Sequence, residues 1–467
     1  MRKHNPQRTL LAIAASLLLA GCATQQVAAP ASQPLTAESL GSSMAPQTVA
    51  ANWWQSIPDT QLQQLLSRAL AEHPTLAQAD ARLRSARAGS ELVASNDGLH
   101  INGSANFTRE RISEHANLPS YMTGIWTNLT TVGADLSYRF DFWGKTRAQL
   151  AASRGQARAA ALEADDARQW LAWAVSSQYL EWRSAQQSRQ LLQDDQQLAR
   201  KQLIQAEQRL KSGLATGDEL AQYRAQLAEA DERLQRIAMR EAQARHALAA
   251  LTAQPQGSID QLPAAELPAW NVNLDGLATG QLGLRADILA ARERVEASAQ
   301  SVKAAKTEFF PDIQLGALAA FSSNELSDLF TYGARSLRLI PAITLPIFSN
   351  GALNARLDAR TADYDYAVAS YNQTLLAAIR DTADRSSNLQ ALLRAETAAV
   401  ANLAARSDAA RSVQGRVNAG LAAPTQGLAE QRRLLQARLS TLDTRTQRLQ
   451  AQAALLRALG SLPVDKE

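Results

Sequence analysis

Two tracts of this chain, Lys145 to Lys211 and Ala352 to Ala419, contain no proline and a single glycine each. Nothing in them breaks a helix, and about sixty-seven residues at 1.5 Å apiece make a rod of about 100 Å. No compact domain needs such a rod. The segments that follow explain it: Leu220, Leu227, Leu234 and Leu248 recur at sevens, interrupted by Glu241, and Tyr223, Ala230, Ile237, Ala244 and Leu251 follow three later. Leu428, Leu435, Leu442, Leu449 and Leu456 keep the same period. Sustained heptads pack helices side by side in coiled-coil fashion.

The chain also repeats itself. Phe140-Asp141-Phe142-Trp143-Gly144 returns in outline as Ile347-Phe348-Ser349-Asn350-Gly351, 207 residues on. Ser212-Gly213-Leu214-Ala215 returns as Ala419-Gly420-Leu421-Ala422 at the same spacing, and Leu220-Ala221-Gln222-Tyr223-Arg224 as Leu428-Ala429-Glu430-Gln431-Arg432 at 208. A period of this length is a duplication of a whole unit, too long for a solenoid. We expect repeats at 56–253 and 284–460, a linker at 254–283 carrying Pro255, Pro263 and Pro268, and a tail at 461–467.

Each repeat has one order of patterns. A helix comes first, Pro74 to Ala94 and its partner at 284–309. A strand pair follows, near 99–109 and 129–142 in the first repeat and near 312–323 and 336–348 in the second. In the clearest strand Val132, Ala134, Leu136, Tyr138, Phe140 and Phe142 alternate with Gly133, Asp135, Ser137, Arg139 and Asp141, so one face is apolar and the other polar. Pro341 and Pro346 interrupt the last strand and mark an edge, a bulge or an end. Long helices close each repeat, at 143–211 and 217–253, then at 350–418 and 425–460.

The amino terminus is of another kind. Arg2, Lys3 and Arg8 precede an apolar run from Leu10 to Ala20, about eleven residues where a spanning helix needs ~20. Residues 1–21 are expected to be an export signal. Leu19-Ala20-Gly21-Cys22 is similar to a bacterial lipobox, which makes the only cysteine, Cys22, the site of N-acyl and S-diacylglycerol attachment. Ala23 after it favours outer-membrane sorting, by resemblance to bacterial lipoproteins. Residues 22–55 are expected to be a lipidated tether, rich in Ala, Pro, Ser, Gln and Thr over its first part. Lys plus Arg is 48 against 44 Asp plus Glu, and removing the three leader cations lowers the net charge from +4 to +1. That balance calls for no nucleic acid.

Strands of about ten residues with one apolar face suit an outer-membrane barrel. One chain supplies four, and a four-stranded sheet in lipid leaves two edges of unpaired N–H and C=O groups, at several kcal/mol per group. Copies must close it. Two chains give eight strands and a filled interior; three give twelve and a lumen.

With these features in this order the chain resembles the TolC-like outer-membrane efflux proteins, and more closely the lipoprotein branch serving tripartite drug-efflux systems. The resemblance covers nearly the whole mature chain. It rests on Cys22, on Trp53-Trp54 with Leu62 and Ala69-Leu70, on Phe140 to Lys145, and on Leu284-Arg285-Ala286-Asp287-Ile288. It rests also on Phe310-Pro311-Asp312-Ile313, Leu345-Pro346-Ile347-Phe348 with Gly351, and Ala458-Leu459-Gly460. It implies a mixed membrane α/β fold: a homotrimer with a twelve-stranded outer-membrane barrel continued by a long α-helical coiled-coil barrel in the periplasm. It implies an efflux conduit with no catalysis and no cofactor beyond the lipid on Cys22, docked on a periplasmic adaptor (membrane fusion protein) and an inner-membrane pump. In the family the turns near Gly213 and Gly420 form the periplasmic tip, where the adaptor binds; here Asp218 and Glu219, and Gln426 and Glu430, flank them. Well-known members carry aspartates where this chain has Gln426 and Ala429, and their usual Arg-Pro-Asp-Ile is Arg285-Ala286-Asp287-Ile288. A non-porous adaptor or periplasm-spanning tether is the alternative reading; such proteins lack strand pairs in both halves.

Gly144-Lys145-Thr146 has Arg139 where a phosphate loop needs glycine. His4, His73, His100, His115 and His246 show no metal spacing, so no metal site is expected. No His-Glu-x-x-His and no Gly-x-Ser-x-Gly occurs. Trp170, Trp173 and Trp182 fit packing between rods, and Tyr121, Trp126, Phe330 and Tyr332 are expected between the strands of each pair, at an extracellular rim.

Overall fold

The computed structural model describes residues 30–36, 39, 50–272 and 285–460. The leader and Cys22 lie outside them. The elements in chain order are α1 (Thr60–Glu72), α2 (Pro74–Ser95), β1 (Leu99–Arg111), β2 (Trp126–Phe140), α3 (Lys145–Lys211), α4 (Gly217–Leu251), α5 (Ala286–Thr307), β3 (Asp312–Ser323), β4 (Arg335–Thr344), α6 (Ala352–Asn418) and α7 (Pro424–Leu459). The chain divides into two compact units that do not follow the repeats. One takes 1–33, 84–158 and 292–370; the other takes 34–83, 159–291 and 371–467. Each unit draws a piece from both repeats.

The first unit is built on the four strands, antiparallel in the order β1-β2-β3-β4. β2 joins the two repeats by pairing with β3, Val132 opposite Phe321 and Tyr138 opposite Leu315. Gly133 is required there: a Cβ would lie 2.6 Å from that of Ala320. β2 begins earlier than the alternation indicates, so Trp126 is its first residue rather than part of the rim. β4 runs through Pro341, which pairs with Leu315, and stops before Pro346. β4 is an edge strand of this sheet, a position that tolerates proline. Below the strands, Trp143 stacks on Phe310 at 4.9 Å and donates from Nε1 to the Pro311 carbonyl at 2.8 Å. The Asp141 carboxylate accepts the backbone N–H groups of Thr146 and Arg147 and so caps the start of α3. Glu308 bridges Lys145 (3.4 Å) and Arg356 (2.8 Å), fastening the end of α5 to the first turns of α3 and α6. Burial opposes its charge, but Arg356 and Lys145 outweigh burial and hold its carboxyl below the usual glutamate range.

The second unit has the principal core. Leu62, Leu66, Leu171, Val175, Tyr179, Leu180, Leu248, Leu449 and Ala453 are essentially fully buried in it. Two expectations change here. Trp53 and Trp54 are buried, Trp53 stacking on Trp270 at 6.2 Å, so the expected tether 22–55 ends in the core. The expected linker 254–283 is no free linker over its first part: Ile259, Leu267 and Trp270 belong to the same core, and residues 273–284 lie outside the described part. Proline marked a break in regular structure, and the apolar residues between the prolines still had core to fill. The tether is also held earlier. In the first unit Asp365 accepts the backbone N–H groups of Ala31 (3.3 Å) and Ser32 (3.0 Å), and in the second Asn372 accepts that of Leu35 at 2.7 Å.

Candidate functional site

Register fixes the two faces of the sheet. Leu99, Tyr138, Leu315 and Pro341 stand opposite one another in a single row, as do Ile101, Leu136, Ala317 and Leu339. The rows through Leu99, Ile101 and Gly103 are therefore apolar on all four strands, and on β4 this face is bare: Leu337, Leu339 and Ile343 are 86%, 70% and 71% exposed. The alternate rows carry Asn102, Asp135, Leu318 and Arg338, then Ser104, Gly133, Ala320 and Ser336. This face bonds to itself through polar side chains, Asn102 Nδ2 donating to Asp135 at 3.1 Å and Thr131 meeting Ser322 at 3.2 Å. Such a sheet separates lipid from water, since a soluble sheet does not leave a whole apolar face uncovered.

Two helix turns form the second part of the site, and both lie in the second unit. Gly213 ends α3 with φ of +69° and Gly420 ends α6 with φ of +74°. In the first, Gly213 N–H bonds the Leu210 carbonyl and Leu214 N–H bonds the Arg209 carbonyl; in the second, Gly420 bonds Val417 and Leu421 bonds Arg416. Both are Schellman turns, in which glycine supplies the left-handed residue. Leu214 and Leu421 stand out from them, 69% and 77% exposed. Beyond the first turn Thr216 caps α4 by accepting the Glu219 N–H at 3.2 Å, and Arg209 pairs with Glu219 at 2.6 Å. Asp218 is exposed beside it. Beyond the second turn Gln426 is exposed and Glu430 pairs with Arg433.

Sequence reading missed a buried polar contact further along the helices that these turns join. Arg432 on α7 makes a two-pronged bond to Asp195 on α3, at 2.8 and 3.3 Å, and reaches Gln202 (3.2 Å) and Gln226 of α4 (2.6 Å). Asp195 is 1% exposed. Its only signal was the repeat itself, which aligned Arg432 with Arg224 and gave it no partner. The Arg285-Ala286-Asp287 motif is also a tie. Arg285 bonds Asp287 (2.9 Å), Asp381 of α6 (3.2 Å) and the Ala458 carbonyl of α7 (3.3 Å). Burial opposes both charges, yet their mutual bonds hold the Asp287 carboxyl below its usual range and raise Arg285.

A sheet with one bare apolar face, one polar face and two open edges, in a chain that also carries two heptad hairpins with glycine turns, defines a subunit of an outer-membrane channel. The chain belongs to the outer membrane efflux protein family. The family model described as outer membrane efflux protein matches residues 65–254 and 281–461, one match to each repeat. Among curated relatives, the putative multidrug resistance outer membrane protein MdtQ of Escherichia coli K12 is 32% identical, the alignment covering 95% of this chain and 96% of that one. MdtP of the same strain, named a multidrug resistance outer membrane protein, is 26% identical over 96% and 95%. Among solved structures, the outer membrane protein VceC of Vibrio cholerae is 30% identical with a TM-score of 0.80, covering 89% of this chain and all of that one. The CmeC outer membrane channel of Campylobacter jejuni shares the fold, with a TM-score of 0.79. This protein is thus an outer-membrane efflux channel component with a TolC-like fold, and its family is one of transport components rather than enzymes.

Proposed function

We propose that three copies of this chain close their sheets into one twelve-stranded barrel and act as the passive outer-membrane duct of a tripartite pump for drug-like small molecules. The observation that carries this reading is the pair of open edges, β1 and β4, on a sheet whose apolar face needs lipid. No bilayer satisfies those edges, and another copy does. Twelve strands leave a lumen where eight leave none. The Gly213 and Gly420 turns, with Asp218, Glu219, Gln426 and Glu430, serve as the periplasmic tip that meets an adaptor, which in turn joins an inner-membrane pump supplying the energy. Cys22 carries the lipid anchor, and the duct works without cofactor or catalysis. The relatives named for multidrug resistance support the substrate class. Purified lipoprotein in mild detergent should run as a heat-modifiable trimer and pass current in planar bilayers. A single-copy particle that conducts nothing overturns the reading.

A further inference from the structure

The apolar face of the sheet ends in cations, and it does so on the two edge strands alone. On β1 the outer-face side chains run from Leu99 to Phe107, about 26 Å along the strand and about 20 Å once tilted, close to the ~25 Å apolar band of such barrels. The next outer-face residue is Arg109, whose guanidinium lies 5.5 Å over the Trp126 ring. On β4 the band ends at Leu337 and the next residue is Arg335, 4.5 Å over the ring of Tyr332. On the central strands the outer-face residues at this end are uncharged: Val132 and Phe321 share the row of Arg335, Thr130 and Ser323 the next, and Asn128 faces Arg109. Both arginines are exposed, and neither has a carboxylate partner among the described residues. The nearest acidic side chains in sequence do not answer them: Glu110 is on the opposite face, and Glu114 is taken by Arg111 at 2.7 Å. Glu325 and Asp328, in the connection before β4, form no ion pair with Arg335.

We propose that Arg335 of one chain and Arg109 of the neighbouring copy form, at each seam of the closed barrel, a binding site for the phosphates of the outer-leaflet glycolipid, lipid A. The inference rests on the trimeric reading above. Closing the sheet brings β4 against β1 of the next copy. Within one sheet Arg335 stands in register with Ala105, four residues short of Arg109, and a stagger of that size between copies, of the kind a tilted barrel requires, brings the two cations level at the seam. Guanidinium groups bind phosphate through paired N–H donors, and the aromatic ring beneath each one holds it at the interface without neutralising it. The strand ends in question are those remote from the helices, so the leaflet they meet is the outer one.

The test uses the full trimer in detergent, with binding of bis-phosphorylated lipid A read by native mass spectrometry and by the shift in trimer melting. Arg109→Gln with Arg335→Gln should weaken binding at least tenfold, each single change should fall between, and 1 M salt should weaken wild-type binding. Removing both phosphates from the lipid should weaken binding to the unaltered protein as much, a comparison that needs no variant to fold. Equal binding by the double variant, by dephosphorylated lipid A or by phosphatidylglycerol overturns the site. Conductance of the double variant in neutral bilayers should match the parent, so loss of the lipid site leaves the channel reading standing. Failure of the unaltered protein to trimerise removes both.

Discussion

The two glycine turns began as copies and are now held in different ways. The first is secured locally: Thr216 caps α4, Asp218 and Glu219 sit at its positive end, and Arg209 reaches across the turn to Glu219 and to the Leu214 carbonyl. The second has Pro424 at the start of α7, no side-chain bond from Ala423, and no acidic residue in the first turn. What α7 lacks at its end it gains further along, where Arg432 is clamped to Asp195, Gln202 and Gln226 of the first repeat's helices. The difference teaches that the first hairpin carries its own stability while the second borrows it.

The largest test of that contrast is Arg432→Met. It strands a buried Asp195 carboxylate and should cost about 3 to 5 kcal/mol, most of it recovered by adding Asp195→Leu. Hydrogen exchange should then rise at the second turn before the first; a single variant melting with the parent ends the argument for borrowed stability. Gly213→Ala and Gly420→Ala should each cost about 1 to 2 kcal/mol, because both place a Cβ in the left-handed region. Equal costs in denaturant melts keep the turns equivalent as turns, and unequal ones show the contrast reaching into the glycine itself. Thr216→Ala should cost about 1 kcal/mol and raise exchange at the first turn alone. The smallest effect is a gain: Ala423→Ser supplies the missing cap and should add about 0.5 to 1 kcal/mol, and no change in melting would mean the second helix start is already satisfied.

What was legible from sequence had a local period. The alternation of β2, the heptad leucines now buried at Leu220, Leu248, Leu435, Leu449 and Leu456, and the two glycine turns are each written within a few residues of themselves. Pro341 fits the edge it was read to mark, but which of edge, bulge or end it meant was decided only by the pairing of the four strands, because lying at the edge of a sheet is not a property of one strand's own sequence.

The sequence by itself determined that the chain is two copies of a helix, a strand pair and a rod hairpin, since side-chain period and backbone conformation are local consequences of residue type. Tertiary structure alone decided that the compact units cross the repeat boundary, that Trp53 closes on Trp270, and that Arg432 finds Asp195 more than two hundred residues away. The physical reason is that burial and ion pairing depend on which surfaces meet in space. A cation on a helix reads the same in one dimension whether water or a carboxylate faces it.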